Sequence, residues 1–265
     1  DLHSFPTRRS SDLLSLKEKG VEVSYIGVSE KGVLNFDELP SLVKANTKAI
    51  VITHASNVTG NITDLKKYGD FCRNNNLLFV VDASQTAGAF SIDMKEMNID
   101  VLCFTGHKSM LGPQGTGALC VREEIYIRPF MVGGSGTHSY DEFQPDKMPT
   151  RLEAGTLNSH GIAGLHVSID YLTRNNIENL TKRALEISRR FYDGVTKFPE
   201  VKVYGDFETE FRAPIVSLNI LDRDSSEVSS ILYEDYKIST RPGAHCAPLI
   251  HKARSEEHTS ELQSR

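Results

Sequence analysis

"CFTGHKSMLGPQGTGALC", residues 103–120, joins two apolar runs through a segment with four glycines and a proline. Lys108 comes shortly after the first run, at the mouth of what the apolar residues predict to be a buried strand. A lysine beside apolar strands and glycines loses its proton more easily than one in water. The segment therefore raises the question of what an unprotonated amine would do there.

The surrounding chain alternates short apolar runs with amphipathic segments. Strands are predicted at 21–28, 47–54, 77–83, 100–106 and 117–123. Several of these runs are continuous rather than alternating, which is typical of a parallel sheet covered on both faces. Together with the helical segments between them, they predict a doubly wound α/β sheet of mostly parallel strands.

Two helices are predicted between these strands. Residues 35–44 begin with Asn35 three positions before Glu38, which is the spacing of a capping box. Residues 63–76 place their apolar side chains at the spacing of one helical face.

The pattern changes after about residue 155. A long amphipathic helix at 177–198 is followed by a strand at 213–220, a helix that begins at Asp224, and the segment 237–243. This order predicts a second, smaller α+β unit. We therefore expect a large domain over residues 14–165 and a small C-terminal domain over residues 166–253, both incomplete.

Both ends of the chain differ from the rest. "HSFPTRRSSDL" (3–13) and "RSEEHTSELQSR" (254–265) resemble translated sequencing-adapter DNA. We therefore set residues 1–13 and 254–265 aside from the fold and expect the chain to be a fragment.

The composition excludes several classes of protein. The 265 residues carry a formal net charge of −5, which gives no electrostatic case for binding nucleic acid or an anionic membrane. No apolar run reaches the roughly 18 residues of a membrane span. The four scattered cysteines favour reduced thiols and a cytoplasmic location. Of these, Cys72, Cys103 and Cys120 lie in amphipathic or apolar segments, which predicts small buried hydrophobic residues.

Polar side chains follow three of the predicted strands. They are Asn57, then Asp82 and Gln85, then Thr105, His107 and Lys108. Ligands bind at the carboxyl ends of strands in open α/β sheets, so we expect these residues around one crevice. An unprotonated lysine can form a Schiff base, and a carboxylate can keep a pyridine nitrogen protonated. Hydroxyl, imidazole and backbone N–H groups can hold a phosphate. These are the requirements of pyridoxal phosphate.

Two other sites were weighed. A phosphate-loop NTPase fails, because "GPQGTG" is not followed by Lys-Ser or Lys-Thr. A zinc site at His245, Cys246 and His251 lacks a Cys-x-x-Cys pair and has weak support.

Four motifs in order resemble the class V aminotransferase superfamily, most closely its cysteine desulfurase and selenocysteine lyase branch. They are "VVDASQTAG" (80–88), "GHKSMLGPQGTG" (106–117), "RLEAGTLNSHGIAGL" (151–165) and "RPGAHCAP" (241–248). The likeness runs through residues 14–253. It implies the type I pyridoxal-phosphate fold, working as a homodimer.

The resemblance also implies roles for the residues around the cofactor. Lys108 would be the Schiff-base lysine, and Asp82 would pair with the pyridine nitrogen. Asn57 and Gln85 would contact the side of the phenolic oxygen.

The resemblance assigns three further residues to the phosphate. Thr105 and His107 would bind it, and His107 is counted with the catalytic residues. Thr156 would reach the phosphate of the partner subunit, so that each site would need both chains.

Cys246 decides the reaction that we expect. It lies in a Gly/Pro-framed loop beside Arg241 and His245, whose positive charge would favour the thiolate. In the resembled branch the matching cysteine attacks the sulfur of the substrate, L-cysteine, and forms a persulfide while alanine is released. Lys108 would take the Cα proton, and Arg241 would help to hold the substrate carboxylate. A sulfur-acceptor protein would be a further partner.

The sequence also departs from the resembled family. Its phosphate-binding Gly/Ser/Thr turn and ring-stacking aromatic or histidine lie upstream of residue 14, and a further substrate arginine lies downstream of residue 253. We therefore expect weak or absent activity from this chain. Selenocysteine cleavage, transamination or epimerisation on the same scaffold, and a catalytically inert fragment, remain the alternatives.

Overall fold

The computed structural model describes residues 16–137, 140, 142–245, 247 and 250, together with the backbone of residues 2–4 and 262–264. Cys246 and His251 lie outside the described residues.

A six-stranded sheet forms the centre of the first half of the described chain. Its strands, in spatial order, are β2 (Val23–Tyr25), β1 (Leu2–Ser4), β3 (Ala49–Thr53), β4 (Leu78–Asp82), β5 (Val101–Thr105) and β6 (Gly117–Val121). Neighbouring strands are parallel except for β6, which runs antiparallel to β5. The predicted mostly parallel α/β sheet is confirmed.

The described helices lie mainly between or after these strands. They are α1 (Leu39–Leu42), α2 (Leu65–Asn74), α3 (Ser159–Arg174), α4 (Ile177–Val195) and α5 (Ser225–Tyr236). Short 3₁₀ turns occupy Phe36–Glu38 and Thr150–Leu152.

The main core lies between the sheet and α2. Ile50 and Ile52 of β3 and Phe79 and Val81 of β4 are fully buried. The side chains of α2 that point inward join them in one apolar cluster. Val51 and Val80, which point to the opposite face, are half-buried, so these strands are fully covered on one face and partly covered on the other. Apolar residues on both faces fit the continuous apolar runs of the sequence.

The capping-box prediction at residues 35–44 was wrong. The segment forms a 3₁₀ turn and a four-residue helix, and Asn35 makes no side-chain capping bond. Glu38 instead accepts a hydrogen bond from the backbone N–H of Gly27 at 2.9 Å, across the chain. The carboxylate is therefore already used by a tertiary contact.

The other predicted helix starts are confirmed. Asp64 caps α2 by accepting from the N–H of Lys67 at 3.1 Å. Asp224 caps α5 by accepting from the N–H groups of Ser226 and Glu227 at 2.8 and 3.1 Å.

Helix α3 was not predicted as an element. It runs across residue 165, so the predicted division of the chain at 165/166 falls inside a continuous helix and stays a prediction. Its residues Leu165 and Leu172 pack against Met110 in a small apolar cluster.

A second sheet forms in the last part of the described chain, as the α+β pattern predicts. Its order is β7 (Val201–Tyr204), β8 (Val216–Ile220), β10 (Leu262–Ser264) and β9 (Thr240–Arg241). Leu218 of β8 and Val228 of α5 are buried in its core, with side chains of α4 packed against them.

Both end segments that the sequence analysis set aside contribute one strand each. β1 pairs with β2 and β3 in the first sheet, and β10 pairs with β8 and β9 in the second. The end segments therefore take part in the fold, while their foreign origin stays a prediction.

Candidate active site

The ends of β4 and β5 lie side by side. Asp82, the last residue of β4, is opposite Cys103, and the N–H of Ala83 donates to the carbonyl of Cys103 at 2.8 Å. Thr105 ends β5 two residues later. The carboxylate of Asp82 and the segment that carries Lys108 therefore leave the sheet at the same edge.

The segment between β5 and β6 is closed by its own backbone bonds. The N–H of Gly106 donates to Thr116 O at 2.8 Å, and the N–H of Gly112 donates to Gly106 O at 2.7 Å. Inside this ring, Lys108 O accepts from the N–H of Leu111 at 2.8 Å. The Nζ atom of Lys108 is buried. The lysine is thus held in a short, internally bonded loop, whose residues 113–115 are exposed.

Gly88 lets the turn after β4 pack directly on the lysine segment. Its φ is +83°, and a Cβ added there would lie 2.5 Å from the carbonyl oxygen of Ser109 and 2.8 Å from the nitrogen of Met110. Only glycine allows both that backbone conformation and that approach. The glycine therefore brings the turn that begins at Asp82 against the residues next to Lys108.

Helix α3 covers the same segment from the other side. The side chain of Leu165 lies so close to Gly112 that an added Cβ would be 2.8 Å from its Cδ1 atom. Met110, Leu165 and Leu172 form an apolar cluster there, with Phe104 packed against it. The lysine segment is thus packed against apolar side chains. Gly112 is required there because a larger residue would occupy the space that Leu165 fills.

Thr105 and His107, the predicted phosphate-binding residues, contact each other. The Thr105 Oγ1 and His107 Nδ1 atoms are 2.7 Å apart, and the imidazole is exposed. Gln85 is half-buried in the turn after β4, and Thr156 is exposed in the turn that precedes α3.

Asp82 is half-buried and bonded within its own turn. Its Oδ1 accepts from the N–H of Ser84 at 2.8 Å. Burial, together with the charge of Asp82, raises the pKa of the neighbouring Cys103 thiol to about 11. Burial likewise raises the pKa of the Cys72 thiol to about 12. Neither thiol is therefore a thiolate near neutral pH.

The three described cysteines are free, as expected. Cys72 is buried, whereas Cys103 and Cys120 are half-buried rather than fully enclosed. In the sheet order β6 is an outer strand and β5 lies next to it, so these side chains are less covered than that of Cys72.

The last part of the chain reaches the sheet edge through Asn57. The Nδ2 group of Asn57 donates to the carbonyl of His245 at 2.7 Å, and His245 is 3% exposed. Arg241 is half-buried in β9. The loop that contains His245 therefore meets a predicted cofactor-binding residue, and the predicted nucleophile Cys246 is the next residue along the chain.

A cavity of about 240 Å³ borders Asn57 on its other side. Thr53, Tyr68 and Ile250 are among its lining residues, and Asp82 and Lys108 are not. It therefore does not include the carboxylate and amine at the ends of β4 and β5, and among the described residues it shares only Asn57 with the predicted site.

His54 was missed by the sequence analysis. It directly follows β3, and its Nδ1 atom lies 2.8 Å from Thr86 Oγ1 in a buried contact. Burial lowers the pKa of the imidazole to about 4, so His54 is neutral near pH 7. It ties the loop after β3 to the turn after β4, and the histidine at the end of an apolar strand was the available signal.

Metal sites and membrane spans are two further features that the described residues lack. In the part of the chain that the structure describes, no three His, Cys, Asp or Glu side chains are placed to hold a metal ion. Two of the residues weighed for zinc, Cys246 and His251, are outside that part. Within the same described residues, no helix has the length and apolar character needed to cross a membrane.

Comparison with known proteins gives a consistent set of relatives. The family model described as aminotransferase class-V matches residues 13–260. A probable cysteine desulfurase of Methanothermobacter thermautotrophicus is 34% identical over 238 residues, which is 88% of this chain and 59% of the relative. A probable cysteine desulfurase of Pyrococcus abyssi is 30% identical over 240 residues, which is 89% of this chain and 59% of the relative.

A solved structure agrees with these matches. The cysteine desulfurase from Thermococcus onnurineus NA1 superposes with a TM-score of 0.90 and 29% sequence identity. The match covers 99% of this chain and 66% of that one. The chain thus spans about six-tenths of the length of the curated relatives it matches.

Proposed function

The chain belongs to the class-V aminotransferase family, and from that premise we propose that it carries the pyridoxal-phosphate site of a cysteine desulfurase. The proposal rests on one observation above all. The turn that begins at Asp82 packs on the segment that carries Lys108, at one edge of a parallel sheet. A carboxylate and a buried amine at the same edge are the two groups that the cofactor's ring and aldehyde require.

The donor set fits the cofactor. Lys108 has a buried nitrogen, as a Schiff-base lysine needs in order to lose its proton. Asp82 is half-buried and remains accessible to a ligand. The hydroxyl of Thr105 and the imidazole of His107 lie together and can both bind a phosphate oxygen.

Each of the ring-binding residues has a definite task in this proposal. When bound, pyridoxal phosphate supplies a ring that absorbs the negative charge left at the Cα atom of an amino acid. Lys108 Nζ would hold the aldehyde carbon and would accept the Cα proton of the substrate. Asp82 would hold a proton on the pyridine nitrogen. Asn57 and Gln85 would bind on the side of the phenolic oxygen.

The phosphate and the substrate would be held by other residues. Thr105 and His107 bind the phosphate, and Thr156 reaches the phosphate of a second subunit, which makes the working form a homodimer. Arg241 binds the substrate carboxylate through its forked guanidinium.

Cys246 is the proposed sulfur nucleophile. Its thiolate would attack the Sγ atom of L-cysteine, so that a persulfide S–S bond forms as the Cβ–Sγ bond breaks. Cβ would keep that electron pair and gain a proton, which gives alanine, and a sulfur-acceptor protein would then remove the outer sulfur. The high pKa values of Cys72 and Cys103 support this choice, because buried thiols are poor nucleophiles. The free state of the three described cysteines fits a reducing compartment, and we propose the cytoplasm.

The first experiment tests the cofactor site. The purified chain mixed with pyridoxal phosphate should absorb near ~420 nm, as the cofactor does when condensed with an amine. Borohydride should then fix the cofactor to Lys108, as peptide mass analysis would detect. Lys108→Ala should lose both signals, whereas Lys95→Ala, which alters an exposed lysine away from the site, should keep them. A band that survives in Lys108→Ala would contradict the proposal.

The second experiment tests the reaction. Sulfide or persulfide release from L-cysteine should be lost in Cys246→Ser while the ~420 nm band remains. Cys120→Ser is the matched control and should keep both. Unchanged sulfur release in Cys246→Ser would remove Cys246 from the mechanism. Because the chain spans 59% of its curated relatives, the same pair of variants should be compared in the full-length reading frame.

A further inference from the structure

Three of the backbone carbonyls in residues 57–61 are held by the last part of the chain. This segment lies in the loop after β3, and its first residue is Asn57. Three consecutive carbonyls accept hydrogen bonds from one distant stretch: Val58 O from Ser217 Oγ (2.6 Å), Thr59 O from Arg212 Nη2 (2.9 Å) and Gly60 O from the N–H of Ala213 (2.8 Å). The backbone N–H groups of Val58, Thr59 and Gly60 donate to Ser56 within the local turn, and the carbonyls of the same three residues are held by the last part of the chain.

Arg212 is the centre of these contacts. Its side chain is 5% exposed, and its guanidinium donates to Asp206 O at 2.7 Å and to Ile215 O at 2.8 Å as well as to Thr59 O. Burial lowers the pKa of the guanidinium to about 10, so the group is still charged at neutral pH. Three carbonyls in different directions match the planar fork of an arginine, and the point charge of a lysine cannot reach all of them.

An aromatic stack fixes the guanidinium to the second unit. The Cζ atom of Arg212 lies 3.3 Å from the centre of the Phe207 ring. That ring stacks on Tyr192 of α4 with its centre 3.9 Å away. The arginine is therefore fixed on the side of α4 before it reaches across to Thr59.

Gly60 makes room for the arginine. Its φ is +71°, and an added Cβ would lie 2.9 Å from Arg212 Nη2 and 3.0 Å from Ala213 O. Asn61, the next residue, accepts from the N–H of Asp206 at 2.8 Å. The segment and the arginine are shaped to fit each other closely.

We propose that Arg212 is a positioning residue that sets the Asn57 amide for the cofactor, so that the packing of the C-terminal unit controls cofactor binding at the sheet edge. This inference rests on the proposed function. Arg212 acts through the carbonyl of Thr59, two residues from Asn57. The side-chain amide of Asn57 also donates to the carbonyl of His245, so the C-terminal unit contacts Asn57 directly as well as through Thr59.

The test measures cofactor binding rather than turnover. Pyridoxal phosphate is titrated into the chain, and its dissociation constant and the pH midpoint of the ~420 nm band are recorded. Arg212→Lys keeps the charge and should weaken binding about fivefold, as loss of one well-placed hydrogen bond does. The pH midpoint should rise, because an amide N–H given to the phenolic oxygen stabilises its anion and lowers the proton affinity of the neighbouring nitrogen.

A matched control separates positioning from stability. Val228→Ala removes methyl groups from the apolar core of the same unit and alters none of the bonds to residues 57–61. It should lower the thermal midpoint at least as much as Arg212→Lys and leave the dissociation constant and pH midpoint unchanged. If the two variants change cofactor binding alike, Arg212 has only a structural role and the inference is wrong.

A double variant tests the route. If Arg212 acts through Asn57, Arg212→Lys should add nothing to Asn57→Ala in either readout. Fully additive effects would show that Arg212 acts elsewhere and would overturn the inference.

Hydrogen exchange makes the test independent of the cofactor. Amides of residues 57–61 should exchange faster in Arg212→Lys than in Val228→Ala, and equal rates would contradict the inference. Absence of the ~420 nm band from the unaltered chain would instead contradict the proposed function itself, and the exchange rates would still decide whether Arg212 holds this segment.

Discussion

Asp82 and Asp100 lie at opposite ends of the neighbouring strands β4 and β5, and their surroundings differ. Asp100, just before β5, is 4% exposed. Its Oδ2 accepts from the N–H of Phe79 at 2.8 Å, and its Oδ1 is 2.9 Å from Arg122 Nη1. Asp82, at the end of β4, is half-buried and accepts from Ser84 in its own turn.

The difference indicates that the Asp100 carboxylate stabilises the fold, whereas the Asp82 carboxylate is available to bind a ligand. Asp100 joins the starts of β4 and β5 to the end of β6 through one hydrogen bond and one ion pair. A buried charge of this kind is costly to leave alone, so both partners matter for folding. Asp82 is partly exposed at the edge of the sheet from which the lysine segment, residues 106–116, extends. A ligand-binding carboxylate requires such access.

The largest expected effect is at Asp100. Asp100→Ala leaves the buried N–H of Phe79 without its acceptor and removes one of the two carboxylates paired with Arg122, the other being the exposed Glu124 at 3.1 Å. It should lower the free energy of unfolding by about 3–5 kcal/mol, measured by urea denaturation. Glu96→Ala, an exposed change near the same strand, should have little effect. A loss below about 1 kcal/mol in Asp100→Ala would show that Asp100 contributes no more to the free energy of unfolding than Asp82 does.

His54 sharpens the comparison, because it is a buried stabilising group at the Asp82 edge. Its pKa falls from 6.5 to about 4 in the folded chain, so the unfolded chain binds its proton more readily. The resulting stability is present above pH 6.5 and is lost as the pH falls towards 4. The loss should be about 3 kcal/mol.

The measurement is urea denaturation from pH 7 to pH 4 on the unaltered chain and on His54→Gln. The glutamine cannot titrate, so its stability should fall less over this range. Equal slopes for the two proteins would show that His54 is not buried as a neutral group.

The smallest expected effect on stability is at Asp82. Asp82→Asn keeps an oxygen for the N–H of Ser84, so the free energy of unfolding should change by less than about 1 kcal/mol. The ~420 nm band with pyridoxal phosphate should nevertheless weaken strongly, because the amide cannot hold a proton on the pyridine nitrogen. A stability loss as large as that of Asp100→Ala would show that the two carboxylates do the same job.

The sequence predicts the sheet and its edge well, because both follow from local patterns. The continuous runs around Phe79 and Leu102 are typical of strands buried on both faces, and the polar residues after them lie at the strand ends. Asp82 and Lys108 could therefore be placed at one edge before any coordinates. Asp64 and Asp224 cap their helices through neighbours two or three residues away, so their roles are readable locally as well.

The features that were missed depend on contacts between distant parts of the chain. Glu38 bonds to Gly27 rather than to its own helix, so the capping-box spacing misleads. Helix α3 contains Gly161 and Gly164, which weaken a helical pattern, and the latter lets the helix approach the ring of Pro113. Arg212 meets Thr59 across 153 positions of sequence, a contact that has no local signal.

The antiparallel pairing of β6 with β5 has one more consequence. Thr105 and Gly117 are opposite each other in that pairing, so the chain leaves and re-enters the sheet at the same place. An insertion or deletion between residues 106 and 116 would leave both strands in register and the sheet intact, yet it would move the amine relative to the carboxylate on the adjacent strand. The length of this loop therefore sets where the lysine lies relative to Asp82, in addition to the packing that Met110 and Gly112 provide.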